Sequence, residues 1–130
     1  MLVVDSSAAL EAAQFKNGMD RFGRERLVAP PLMWSESRSV VHEAVWRGDT
    51  SREQADAVLR QLSDGRIEVR THRHLGDRAW AIADQLGWAK TYDAEYVALA
   101  SLLGCRLVTA DGRLRRGADR LGFVIGPDDL

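Results

Sequence analysis

A chain of 130 residues with net charge −1 suits a single domain over 1–130 with one sizeable core, and its apolar and charged fractions are those of a globular protein. No apolar run reaches the roughly 18 residues of a membrane span, and the balanced charge argues against broad electrostatic coating of nucleic acid, which needs a strongly basic surface, while leaving open a nuclease that touches a few phosphates. The single cysteine, Cys105, excludes an internal disulfide framework and a cysteine zinc site; a buried thiol, no signal peptide ahead of "MLVVDSSAAL" and a reducing cytoplasm are expected.

In chain order, "LVV" at Leu2–Val4 reads as a short buried strand, followed by an alanine-rich helix from Ser6 to about Phe15 that ends at "KNG". "RLVAP" is a second strand, and Pro30 and Pro31 open a helix from about Leu32 to Trp46, since proline suits the first helical turn. Met33, Ser37, Val40, Val41, Ala44 and Val45 form its apolar face. "TSRE" at Thr50–Glu53 reads as a capping box for a helix carrying Ala55, Val58, Leu59 and Leu62. "RIEVR" is a third strand. A helix from about Leu75 to Leu86 ends at Gly87, and another runs from Thr91 to Gly104. "CRLVTAD" and "GFVIG" supply strands four and five. Short apolar strands alternating with helices predict an α/β fold, with a parallel sheet of about five strands covered on both faces.

Sites in such sheets collect beyond the carboxyl ends of the strands. Asp5 directly follows the first strand and Asp111 the fourth. Asp93 begins the helix that feeds strand four, on the edge of its small-residue face, whereas Glu95, two residues on, points away from that face. Glu36 borders the apolar face of the second helix. Each acid also has a local structural role open to it: Asp5 and Asp111 can cap the helix or turn that follows, and acids suit a helix start. Together they form a quartet whose mutual repulsion needs compensation. Hard divalent cations bound through oxygen supply it, and paired ions about 3.5–4 Å apart clamp the oxygens of phosphoryl transfer.

Four stretches, "VVDSSAAL", "APPLMWSES", "TYDAEYVALA" and "LVTADGRLRR", in this order and spacing, resemble the PIN-domain ribonucleases, specifically the VapC-type toxins of bacterial toxin–antitoxin pairs. The resemblance implies a PIN-like three-layer α/β/α fold and a magnesium-dependent endoribonuclease, with manganese as a substitute. It implies that hydrolysis uses water activated by the metal and leaves a 5′-phosphate and a 3′-hydroxyl. Asp5, Glu36, Asp93 and Asp111 match the family's acidic quartet, expected to be catalytic and metal-binding. Ser6 and Thr109 match hydroxyl positions beside it. Arg113 and Arg116 are placed to touch a flanking phosphate. The resemblance further implies a homodimer and a VapB-type antitoxin that lays a C-terminal segment over the site. The chain departs from the family in having no further acid soon after Asp111 before Asp119. A nuclease of RNA processing without an antitoxin, and a degenerate binding module, are the alternatives.

A haloacid-dehalogenase-type phosphatase wants a second aspartate two residues after the first, where this chain has Ser7. A receiver domain wants a lysine after its last strand, and "GFVIGPDDL" has none. His72 and His74 would share a strand face but lack a third zinc ligand nearby, and His42 is read as structural. Of the four tryptophans, Trp80 and Trp88 lie off the main apolar stripe and are the expected interface anchors.

Overall fold

Short apolar runs become short parallel strands in the computed structural model, which describes residues 1–130. Strands β1 (Leu2–Val4), β2 (Leu27–Ala29), β3 (Ile67–Val69), β4 (Arg106–Val108) and β5 (Val124–Ile125) form one sheet in the order β3-β2-β1-β4-β5, with every neighbouring pair parallel. All residues of β1 and β2 are buried, as expected of strands covered on both faces. In β3 only Ile67 is buried, because it is an edge strand whose Glu68 faces Arg26 in a two-point ion pair.

Six helices connect and cover the strands: α1 (Ser6–Ala13), α2 (Leu32–Trp46), α3 (Arg52–Leu62), α4 (Leu75–Leu86), α5 (Tyr92–Leu103) and α6 (Gly112–Ala118). Helices α1, α2 and α3 pack on one another, while α4 packs along α5, which lies against β1 and β4. The result is the α/β/α layering read from the sequence. Gly87, at φ 73°, ends α4 in the left-handed conformation that glycine adopts without steric cost.

Several local expectations need correction. Helix α1 stops at Ala13, and the chain then makes a 3₁₀ turn (Gly18–Phe22) that was not foreseen and that buries Met19 and Phe22. The capping box is set one residue later than "TSRE": Ser51 Oγ accepts from the Gln54 amide at 3.1 Å and Gln54 Oε1 accepts from the Ser51 amide at 3.3 Å. Glutamine serves as well as glutamate here because only an acceptor is needed. Val40, assigned to the apolar face of α2, is 46% exposed, since the buried stripe is narrower and carries Met33, Ser37 and Val41. Cys105 is partly rather than fully buried, and His42 is exposed. No helix is long and apolar enough to cross a membrane.

Candidate active site

Strand order places the site. From β1 the sheet runs to β2 and β3 on one side and to β4 and β5 on the other, so the carboxyl ends of β1 and β4 flank the point where the winding reverses. Val4 pairs with Val108, and the Asp5 amide donates to the Val108 carbonyl at 3.2 Å. The residue set beside Asp5 is therefore Thr109, with Asp111 two positions further along the chain.

Asp5 is only 4% exposed. Its Oδ1 accepts from the Ala8 amide at 2.9 Å, capping α1, and from Ser7 Oγ at 2.7 Å; its Oδ2 accepts from Thr109 Oγ1. Ser7 Oγ also accepts from the Ala110 amide at 2.9 Å, and Thr109 Oγ1 from the Asp111 amide at 3.0 Å. Two hydroxyls thus tie the start of α1 to the turn after β4. Ser7 was missed from sequence, although a second hydroxyl directly after "DS" was the available signal. Asp111 in turn caps α6, accepting from the Arg113 amide at 2.9 Å. The capping roles open to Asp5 and Asp111 are both realised.

Glu36, half-buried on α2, is held by two donors on one oxygen. Ser6 Oγ donates to Oε1 at 2.5 Å and the Tyr96 hydroxyl donates to the same atom at 2.9 Å. Tyr96 is fully buried, and its phenol is held far above the usual range by burial first and then by Glu36. Sequence reasoning did not single out Tyr96, yet it lies three residues after Asp93 and so shares its side of the helix.

Glu36, Asp93 and Asp111 line one cleft of about 550 Å³, together with Trp88, Lys90, Tyr92 and Arg113. Asp5 is buried and does not line this cleft; it is linked to it through its charge interaction with Asp93. The neighbouring cleft, about 450 Å³, is lined by Gly112, Arg115, Arg116 and Asp119. Arg113 therefore joins the acids, and Arg116 does not. Trp88 is a wall of the cleft rather than a free surface anchor, since it packs against the core and a Cβ on Gly117 would stand 3.2 Å from its ring. Trp80 (67% exposed) and Trp46 (82%) are the exposed indoles.

The carboxylates influence one another through charge. Asp93 is raised above the usual carboxylate range by desolvation, then by Glu36 and by Asp111, with Arg113 opposing. Asp93 is an exposed residue that lines the cleft, further out than its place on the edge of the small-residue face suggests. Glu95 is partly buried: burial, then Glu36, raises it, and it does not line the main cleft. Glu95 was expected to point away from the small-residue face, towards solvent or a partner; it is only partly exposed, because α5 is buried around most of its circumference.

Burial pushes Asp5 up to about 6, with Asp93 adding to it and the Thr109, Ala8 and Ser7 hydrogen bonds opposing. The folded carboxyl therefore holds its proton where the unfolded one has lost it. Stability is full below the unfolded value of 3.8 and declines as pH rises through about 6. In metal-free protein this group is expected to remove about 3 kcal/mol between pH 3.8 and pH 7. Urea melts of wild type and Asp5→Asn across that range check it: the decline should be shallower in the variant.

No three His, Cys, Asp or Glu side chains gather closely enough to form a ready metal-binding group. Asp5, Glu36 and Asp111 are each held by hydroxyl or amide donors. The donor set is nonetheless all oxygen, negative and partly open to water. That chemistry fits a hard cation held by one or two carboxylates and completed by water, and does not fit a caged ion or a thiolate or imidazole site.

The PIN domain family model matches residues 2–120. At 41% identity over 119 residues, covering 88% of both chains, relatives include the VapC ribonuclease Mb0985 of Mycobacterium bovis and ribonuclease VapC9 of Mycobacterium tuberculosis. The chain belongs to the VapC family of PIN-domain proteins. The family resemblance carried by the four motifs is borne out. Solved structures share the VapC fold: PAE2754 from Pyrobaculum aerophilum (TM-score 0.80, 24% identity, 99% of this chain and 90% of that one) and Mycobacterium tuberculosis VapC20, a sarcin–ricin loop cleaving toxin (0.64, 17%, 95% and 97%).

Proposed function

We propose that this protein is an endoribonuclease toxin of a toxin–antitoxin pair that hydrolyses RNA phosphodiester bonds with magnesium, or manganese, as cofactor. The observation that carries the reading is the cleft in which Glu36, Asp93 and Asp111 stand together with Lys90 and Arg113. Ribonuclease relatives at 41% identity support the same activity. Asp93 and Asp5 would be the principal holders of the ion, with Glu36 and Asp111 beside them. When bound, the cation would supply charge that activates a water and offsets the extra negative charge of the phosphodiester transition state.

The chain's own residues do the rest. Lys90 and Arg113 border the acids and offer positive charge to the phosphates of the substrate backbone. Ser7 and Thr109 fix the Asp5 carboxylate, and Ser6 and Tyr96 fix that of Glu36, so the acids need little reorganisation when substrate arrives. A VapB-type antitoxin and a second copy of the chain are the proposed partners. Purified protein freed of any antitoxin should cut total cellular RNA with magnesium or manganese and stop with chelator. Equal cutting in chelator would overturn the metal, and no cutting under any divalent metal would overturn the activity.

A further inference from the structure

We propose that Tyr96 is a positioning residue for the cleft: with Ser6 it clamps one carboxylate oxygen of Glu36, so that the other is presented to the bound cation. The inference rests on the ribonuclease reading. Tyr96 is the largest fully buried side chain, at 0% exposure. A phenylalanine would fill the same space without burying a hydroxyl, which costs free energy unless it is paired. The pairing it finds lies 60 residues away in sequence, at Glu36 Oε1 on α2, 2.9 Å from the phenol. Ser6, from α1, donates to the same oxygen at 2.5 Å.

Two donors from two different elements thus converge on Oε1, and Oε2 is left with no partner in the protein. A glutamate has three side-chain torsions and on an open helix face would sample many positions, whereas an enclosed tyrosine ring has only two torsions, both fixed by packing. The buried ring acts as a strut for a flexible acid. The strut is also tied to Asp93: three residues apart on α5, the two share one side of the helix. One rigid helix therefore sets both the Asp93 carboxyl and the orientation of Glu36. Glu36 borders the main cleft and the adjoining one walled by Tyr92, so its orientation decides which of the two its free oxygen serves.

The test compares wild type, Tyr96→Phe, Ser6→Ala, Glu36→Gln and the Tyr96→Phe/Glu36→Gln pair. Tyr96→Phe keeps the ring and removes only the hydroxyl. Its kcat for RNA should fall about tenfold, the scale seen when a partner of a metal-binding side chain is lost, with KM unchanged within about twofold. The manganese concentration that half-stabilises the fold against heat should rise severalfold. The pair should be no slower than Glu36→Gln alone, because the hydroxyl acts through that carboxylate. Ser6→Ala should show the same pattern, and it carries the test if Tyr96→Phe does not fold. A folded Tyr96→Phe with wild-type kcat, beside an inactive Glu36→Gln, overturns the clamp and leaves the ribonuclease reading standing. A wild type that never cuts RNA, but whose response to manganese weakens in Tyr96→Phe, overturns the ribonuclease reading and supports the clamp.

Discussion

Asp93→Asn should lower RNA cleavage by more than about a hundredfold and leave the fold intact. Changes to the partners of metal-binding side chains alone typically cost 10–100-fold, and Asp93 is proposed as a direct holder of the ion. Burial is the first cause that raises Asp93, which also shares charge repulsion with Glu36, Asp111 and Asp5. The amide keeps the size of the side chain and removes the charge that balances a cation. Because Asp93 is exposed by area and repelled by its neighbours, stability should change by no more than about 0.5 kcal/mol. Glu95→Gln is the paired control. Residues two apart on a helix lie roughly 200° apart around its axis, and Glu95 does not line the cleft. Its cleavage should stay within about threefold of wild type, with a small gain in melting temperature from relieved repulsion of Glu36. If Glu95 proves essential and Asp93 dispensable, the site must be redrawn around Glu95.

Metal-free protein should gain about 8–11 °C in melting temperature on addition of saturating magnesium or manganese. A ligand that binds only the folded state stabilises it by about 2.7 kcal/mol at a hundred times its Kd, and 1 kcal/mol shifts a domain of this size by roughly 3–4 °C. Burial is the main cause that raises Asp5 and Asp93, and the ion would also offset the carboxylate repulsion that adds to it. Asp93→Asn should lose most of this gain. Calorimetry with and without millimolar manganese measures it directly. A wild-type melting temperature unmoved by metal, in protein that still cuts RNA, would mean that the ion enters only with the substrate.

The sheet was legible because its strands are short, apolar and separated by helices with clear ends; α2 and α4 match their expected limits to the residue. The acids were legible because two of them directly follow strands. What the sequence did not reveal is how those acids are held. Asp5 was visible as a charge needing compensation, but the compensation comes from Thr109, 104 residues away, through a strand pairing known only once β1 lies beside β4. Tyr96 was hidden for a related reason: its ring reads as core, and its hydroxyl matters only when α2 is placed opposite α5. Glu95 stays out of the cleft as the helical wheel indicates, but it is partly buried, because α5 is packed around most of its surface.

The chemistry of the cut ends tests the central claim most directly. An RNA oligonucleotide containing a mapped cut site, incubated with wild type and manganese, should yield a 5′-phosphate and a 3′-hydroxyl. The same oligonucleotide with a 2′-deoxy sugar at the scissile nucleotide should still be cut, because the attacking oxygen comes from water. Ends bearing a 2′,3′-cyclic phosphate and a 5′-hydroxyl, with the deoxy substrate left intact, would show attack by the RNA's own hydroxyl and contradict a water activated in the cleft of Glu36, Asp93 and Asp111.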